Sequence, residues 1–181
     1  MDMSSLAPDV AVASTVQLAA AGDEVAFARI VAAHRAEMVR LAYVVCGDWE
    51  LAEDAAQAAL WIAWRKLPSL REPGRLRPWL MSVAVNEARA ILRRQRRHPV
   101  VELTVAVDGP AGADPGDEIG QVDLSNALHR LDPEDRSLVA LRYLADLDSA
   151  EIASLTGRSA SGVRTRLSRV LDRLREELDD G

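Results

Sequence analysis

What most constrains this chain is a break in its middle. Val101 to Asp123 (VELTVAVDGPAGADPGDEIGQVD) is rich in Gly, Pro and Asp and holds no lysine or arginine. A stretch of that composition reads as a linker rather than as part of a packed helix, so the chain divides into two units. On either side lie arginine-bearing segments of helical period, RPWLMSVAVNEARAILRRQRR (Arg77 to Arg97) and SAEIASLTGRSASGVRTRLSRVLDRLR (Ser149 to Arg175). Positive charge in two separated clusters around an acidic middle suits contact with a long polyanion at two places. The formal net charge of −6 does not argue against this, because clustering rather than the total decides local attraction.

The predicted fold is all-α: two small helical domains joined by a flexible acidic linker. Aromatic residues make up only 4% of the chain, and alanine and leucine abound, which favours helix over sheet. Residues 1–22 are small, acidic and weakly patterned, and are expected to form a flexible N-terminal segment. From Asp23, Phe27, Ile30, Val31, Met38, Leu41, Ala42 and Val45 recur at helical spacing, and Gly47-Asp48 ends the run. A second helix places Leu51, Ala55, Ala59 and Ala63 inward, with Trp61 and Trp64 as candidates for the same face. Pro68 to Pro78 (PSLREPGRLRP) is predicted to be a loop, and a third long helix starts near Pro78 and ends before Pro99. The first domain thus spans 23–99 and the linker 100–121. The second domain, 122–181, opens with a capping signature at Asp132-Pro133-Glu134-Asp135 and a reciprocal cap of Asp148 with Glu151.

Several functions find no foothold. Cys46 is the only cysteine, so no disulfide forms within the chain, and a cytoplasmic address fits. His34, His98 and His129 are scattered and make no metal-ligand spacing, so neither a metal nor a cofactor is expected. No phosphate cradle or nucleophile elbow stands out, no apolar run is long enough to enter a membrane, and nothing gives a positive reason to read an enzyme.

The last segment carries the sharpest signal. At about 100° per residue, Val163, Leu167, Val170, Leu171, Leu174 and Leu178 gather on one helix face. Ser161, Thr165, Ser168 and Arg169 fall opposite, with Arg164 and Arg166 on the flanks. Preceded by a short helix and a turn at Gly157, this is a helix-turn-helix with a cationic, hydrogen-bonding outer face, suited to the major groove. The alternative is an ordinary solvated helix. The arginines from Arg89 to Arg97 are weaker by themselves, since cations are also favoured at a helix C-terminus.

The order of these parts resembles the bacterial extracytoplasmic-function (group 4) sigma factors of the sigma-70 family, over about Asp23 to Glu177. AEDAAQAAL (Ala52 to Leu60) is similar to the family's Asp-x-x-Gln core-binding helix, with Asp54 and Gln57 in place. Trp79-Leu80, Val83-Ala84 and Asn86 match its Trp-Leu…Ile-Ala-x-Asn pattern. LDPEDRSLVALRYLADLDSAEIASLTG followed by SGVRTRLSRVLDRLR resembles its −35-reading module. Three positions depart from the usual pattern: Ala58 stands where an acid commonly follows the glutamine, Ser161-Gly162-Val163 where Gly-Thr-Val is common, and Leu70 where an aromatic residue often helps hold a flipped base.

The resemblance implies a non-catalytic protein that binds RNA polymerase core, through its beta and beta-prime subunits, and directs initiation at promoter DNA. Asp54, Gln57 and Trp61 would face the core. Leu70, Asn86, Arg89, Arg93, Arg94 and Arg97 would melt and hold the −10 element, and Ser161, Arg164, Thr165, Ser168 and Arg169 would read the −35 duplex. A cognate anti-sigma factor is common in the family, although no residue here identifies one. Two rival readings remain open: a stand-alone helix-turn-helix regulator, for which no dimerisation seam is visible, and a helical protein that sequesters a partner.

Overall fold

The computed structural model describes residues 6–97 and 118–179. Among these residues there are helices and no strands. The expected linker falls largely on 98–117, outside the described residues, as does His98.

In the first unit, α1 (Leu6–Ala20), α2 (Glu24–Cys46), α3 (Trp49–Lys66) and α4 (Leu76–Arg97) follow in order, with 3-10 turns at Leu67–Ser69 and Pro73–Arg75. Helices α2, α3 and α4 all pack on one another. Local chemistry sets the turn between α2 and α3. Gly47 takes the left-handed conformation (φ 76°) and donates its amide to the Tyr43 carbonyl, while the Asp48 carboxylate accepts from the Leu51 amide at 2.9 Å. One residue ends a helix and the next begins another, which forces an antiparallel pair. The buried face of α3 consists of Ala52, Ala55, Ala56, Ala59 and Ala63. Small residues there let the neighbouring helices come close, and Met38, Leu41, Leu80 and Met81, each at most 1% exposed, fill the space.

The second unit comprises α5 (Glu118–Arg130), α6 (Pro133–Val139), a π-helical turn over Ala140–Leu144, α7 (Ser149–Thr156) and α8 (Ala160–Asp179). Asp132 caps α6, accepting from the amides of Glu134 and Asp135 at 2.8 and 3.2 Å. Asp148 caps α7 in the expected reciprocal box, since its own amide donates to Glu151 at 2.9 Å. Gly157 ends α7 in the left-handed conformation, and α8 buries Val163, Leu167, Val170 and Leu174. These four recur at steps of four and three, the spacing of one apolar stripe.

Two expectations need correction. The N-terminal segment is helical from Leu6, with Val16 and Ala19 each 3% exposed. Its apolar residues are spread around the helix rather than drawn into a stripe, so periodicity gave no sign of it; docking on α2 and on the proline-rich turns orders it. The stretch from Pro68 to Pro78 is likewise not all loop: it forms the two 3-10 turns, and α4 begins at Leu76, so Pro78 lies inside the first turn, where its missing N–H costs nothing.

The two units touch. Leu138, Leu141 and Ile152 of the second belong to the same buried cluster as Leu80, Met81 and Val85 of the first. Helices α5 and α6 lie against α2, and α6 and α7 lie against α4.

Candidate nucleic-acid interface

The outer face of α8 is assembled from below. Buried Val163, Leu167 and Val170 fix the roll of the helix, leaving Ser161, Arg164, Thr165, Ser168 and Arg169 all exposed. Ser161, Thr165 and Arg169 line one side of a groove with Ser159 and Arg173. Arg164 and Ser168 line a second cleft with Arg142 and Tyr143. The five predicted residues are therefore on one helix and face solvent on two adjoining flanks.

Beneath them lies a cluster of ionised groups that periodicity did not single out. Arg166 donates to Asp135 at 2.5 Å and to Glu134 at 3.0 Å, and comes within 3.5 Å of Asp132. Arg158 also donates to Glu134, and Arg173 lies 3.6 Å from Asp135. Burial is the main influence on Asp135 and pushes its carboxyl up. Glu134, against the penalty of its own burial, is held below the usual carboxylate range by Arg158, Arg166 and Arg89. Arg166 is consequently a fixed strut between α6 and α8, whereas Arg164 and Arg169 stand free to solvent. The acid-rich sequence around Asp132 was legible as a helix cap; that it also anchors α8 was not.

On α4, Asn86, Arg93, Arg94 and Arg97 are exposed and Arg89 is half-buried. Arg89, Arg93 and Arg97 follow at steps of four and form one cationic stripe, with Asn86 one turn before it. Arg94 is turned aside towards Glu87, at 3.9 Å. Leu70, in the turn before α4, packs partly against the core.

The third set lies on α3. Asp54, Gln57 and Trp61 are exposed, Trp61 to 64%. They line an open, mainly apolar groove of about 1030 Å³ between α2 and α3, whose α2 wall includes Phe27 and Val31. Phe27 meets Trp64 edge-on, with centroids 4.8 Å apart, and this pair forms the floor. Phe27 has the spacing of a core residue, and only the meeting of two helices shows that it serves a surface. The expectation that Trp61 turns inward fails, because it lies two residues from both Ala59 and Ala63, about 200° round the helix from the buried alanine face.

The description "Sigma-70 region 2" matches residues 30–98, and "Sigma-70, region 4" matches 121–174. The chain belongs to the sigma-70 family. The sigma factor is 34% identical over 132 residues to the RNA polymerase sigma factor CarQ of Myxococcus xanthus, covering 72% of this chain and 76% of CarQ. It is 33% identical to the probable RNA polymerase sigma factor RfaY of Xanthomonas campestris pv. campestris, covering 88% of this chain but 42% of that longer protein. Its fold matches that of the sigma factor RpoE, solved in complex with the anti-sigma factor NepR from Bartonella quintana, with a TM-score of 0.69 and 24% identity over 84% of this chain and 96% of that one. Region 2 thus contains the α4 stripe and the α2–α3 groove, and region 4 contains the helix-turn-helix. Sigma factors bind RNA polymerase core and direct initiation at promoters, and this chain is one of them. Among the described residues no helix is long and apolar enough to cross a membrane.

Proposed function

We propose that this sigma factor divides its work among the three surfaces. The apolar groove between α2 and α3 docks RNA polymerase core, with Trp61 as the exposed anchor and Asp54 and Gln57 as polar rim. The α4 stripe of Asn86, Arg89, Arg93 and Arg97, with Arg94 beside it and Leu70 in the preceding turn, takes the opened −10 strand. Opening a base pair costs a few kcal/mol, roughly, for each base extruded, and phosphate contacts with single-stranded DNA offset that cost. The exposed face of α8 enters the −35 major groove, where Arg164 and Arg169 can donate to guanine edges and Ser161, Thr165 and Ser168 to bases or phosphates. No step is chemical: the protein contributes specificity, acts in the cytoplasm where polymerase works, and uses no cofactor. A cognate anti-sigma factor that covers the α2–α3 groove would silence it.

The observation that carries this reading is that one apolar groove and two arginine-bearing faces lie on different helices. The test is promoter-directed run-off transcription with purified core over a library of genomic fragments. Arg164→Ala or Arg169→Ala should lower promoter use while core binding persists; Asp54→Ala with Gln57→Ala should weaken core association. If the two phenotypes cannot be separated, the division of labour is wrong. Tight binding to bare duplex without core would favour a stand-alone regulator instead.

A further inference from the structure

One flank of α8 carries more than the three residues assigned to it above. Ser161, Thr165 and Arg169 follow at steps of four, and the next step is Arg173, which lines the same groove of about 670 Å³. The arginines along this part of α8 differ in what already holds them. Arg166 donates to Oδ1 of Asp135 at 2.5 Å. Arg175 donates to Asp172 at 2.9 Å. Arg173 stands 3.6 Å from Oδ2 of Asp135, an ion pair too long to be a hydrogen bond, and half of its side chain is exposed. That contact keeps the guanidinium on the groove flank and leaves its donors uncommitted to the acid.

An α-helix with its side chains is about 10–12 Å across. The major groove is about 12 Å wide, so a helix seated in it turns its crest to the bases and its flanks to the two backbones. From Ser161 to Arg173 the stripe swings by about 40° at each step of four, about 120° in all. Over the same span it climbs about 18 Å along the axis. The crest also changes sign on the way. Asp172 lies within about 20° of Ser161 round the helix, and it is an exposed acid already occupied by Arg175. Base contact therefore belongs to the first half of α8, and a cation on the flank at the level of Asp172 meets the sugar-phosphate wall.

We infer that Arg173 is a phosphate contact of region 4, one turn beyond Arg169, which fixes the seating of α8 in the −35 groove without reading a base. Its ligand is a backbone phosphate of one −35 strand, for which the planar guanidinium fork is suited. Arg166, bonded to the other oxygen of Asp135, offsets that acid's charge when Arg173 turns from it to the phosphate. The role given to Arg173 rests on the assignment of α8 to the −35 duplex made above.

The test uses the full chain with polymerase core on a promoter recovered by run-off transcription, together with fragments carrying single-base changes across −35. Binding is measured from about 0.1 to 0.4 M salt. Arg173→Gln is expected to lower the slope of log affinity against log salt by roughly one. It should weaken every fragment alike, by about fivefold to tenfold at about 0.1 M salt, and keep their ranking. Arg173→Lys, which keeps the charge, should keep the wild-type slope. An unchanged slope in Arg173→Gln overturns the inference. So does a changed ranking of the −35 fragments, which would make Arg173 a base contact. An equal loss in both variants, or a loss of helices by circular dichroism in Arg173→Gln, overturns it as well, because the tie to Asp135 would then be structural. Arg169→Ala keeps the two claims apart. If it re-ranks the fragments while Arg173→Gln leaves the slope alone, only the role of Arg173 falls. If neither variant changes anything, the assignment of α8 to the −35 groove falls.

Discussion

The Arg166 guanidinium donates through Nε to Oδ1 of Asp135 at 2.5 Å, tying α8 to a residue that is only 5% exposed. A buried acid under an exposed helix sets where that helix sits. Asp135→Ala should therefore cost about 1–3 kcal/mol, because it removes the shortest of the contacts that hold Arg166 and leaves a carboxylate-sized gap beneath α8. Urea unfolding of the whole chain measures this, and Asp135→Asn, which keeps an acceptor, should cost less.

Arg164 and Arg169, by contrast, carry no such structural duty. Alanine at either position should leave thermal stability within about 0.5 kcal/mol of wild type. Each should cost promoter binding about 1–3 kcal/mol and relax specificity at the base it contacts. A large drop in melting temperature would show instead that the residue packs.

Trp61 and Phe27 face the same groove but differ in burial. Trp61→Ala should leave stability unchanged and reduce core affinity by at least about tenfold, as expected for an exposed aromatic anchor. Phe27→Ala, which removes the edge-on partner of Trp64, should reduce both. Co-purification with core, alongside chemical denaturation, separates the two outcomes.

Acid should weaken the fold in two stages. Burial lowers the pKa of His129, with Arg136 adding to the effect, and burial likewise lowers that of His34 despite Glu37. The unfolded chain then binds these protons more tightly, so stability is complete above about pH 6.5 and falls as pH drops below it. His129→Gln should flatten part of that slope. Further down, Glu134 is held low by its arginines against its own burial, and Asp148 by the amides of Glu151 and Ala150. Their stabilisation persists above the ordinary carboxylate pKa near 4, roughly, and disappears as pH falls towards the lowered values. Melting temperature against pH should show both steps.

Gly47 joins a local rule to a tertiary one. Alanine there must hold a left-handed backbone (φ 76°) and also meet His129. The strain alone costs about 1–2 kcal/mol. Adding His129→Ala should recover the collision but not the strain, which a double-mutant cycle would resolve.

Much of the fold was legible because its signals are local. The stripe through Val163, Leu167, Val170 and Leu174, the caps at Asp132 and Asp148, and the Gly47-Asp48 turn each depend on residues within one or two turns of one another. Helix α1 was not legible, because its order comes from docking on distant residues. The same limit applies to the surfaces. Ser161, Arg164, Thr165, Ser168 and Arg169 share a helix, so their common exposure follows from helical period. The α2–α3 groove brings Phe27 to Asp54 and Gln57, and no period within either segment reports that meeting.

The sequence by itself determined two helical units, their caps, and which arginines lie on which helix face, since backbone hydrogen bonding and side-chain period act over a few residues. Only the tertiary structure decided which charges are free and which are engaged. Arg166 and Arg169 are three residues apart on one helix, yet one is held by three carboxylates and the other faces solvent. Arg89 is matched by Glu134, 45 residues away. Coulomb attraction depends on distance in space, and distance along the chain does not fix it.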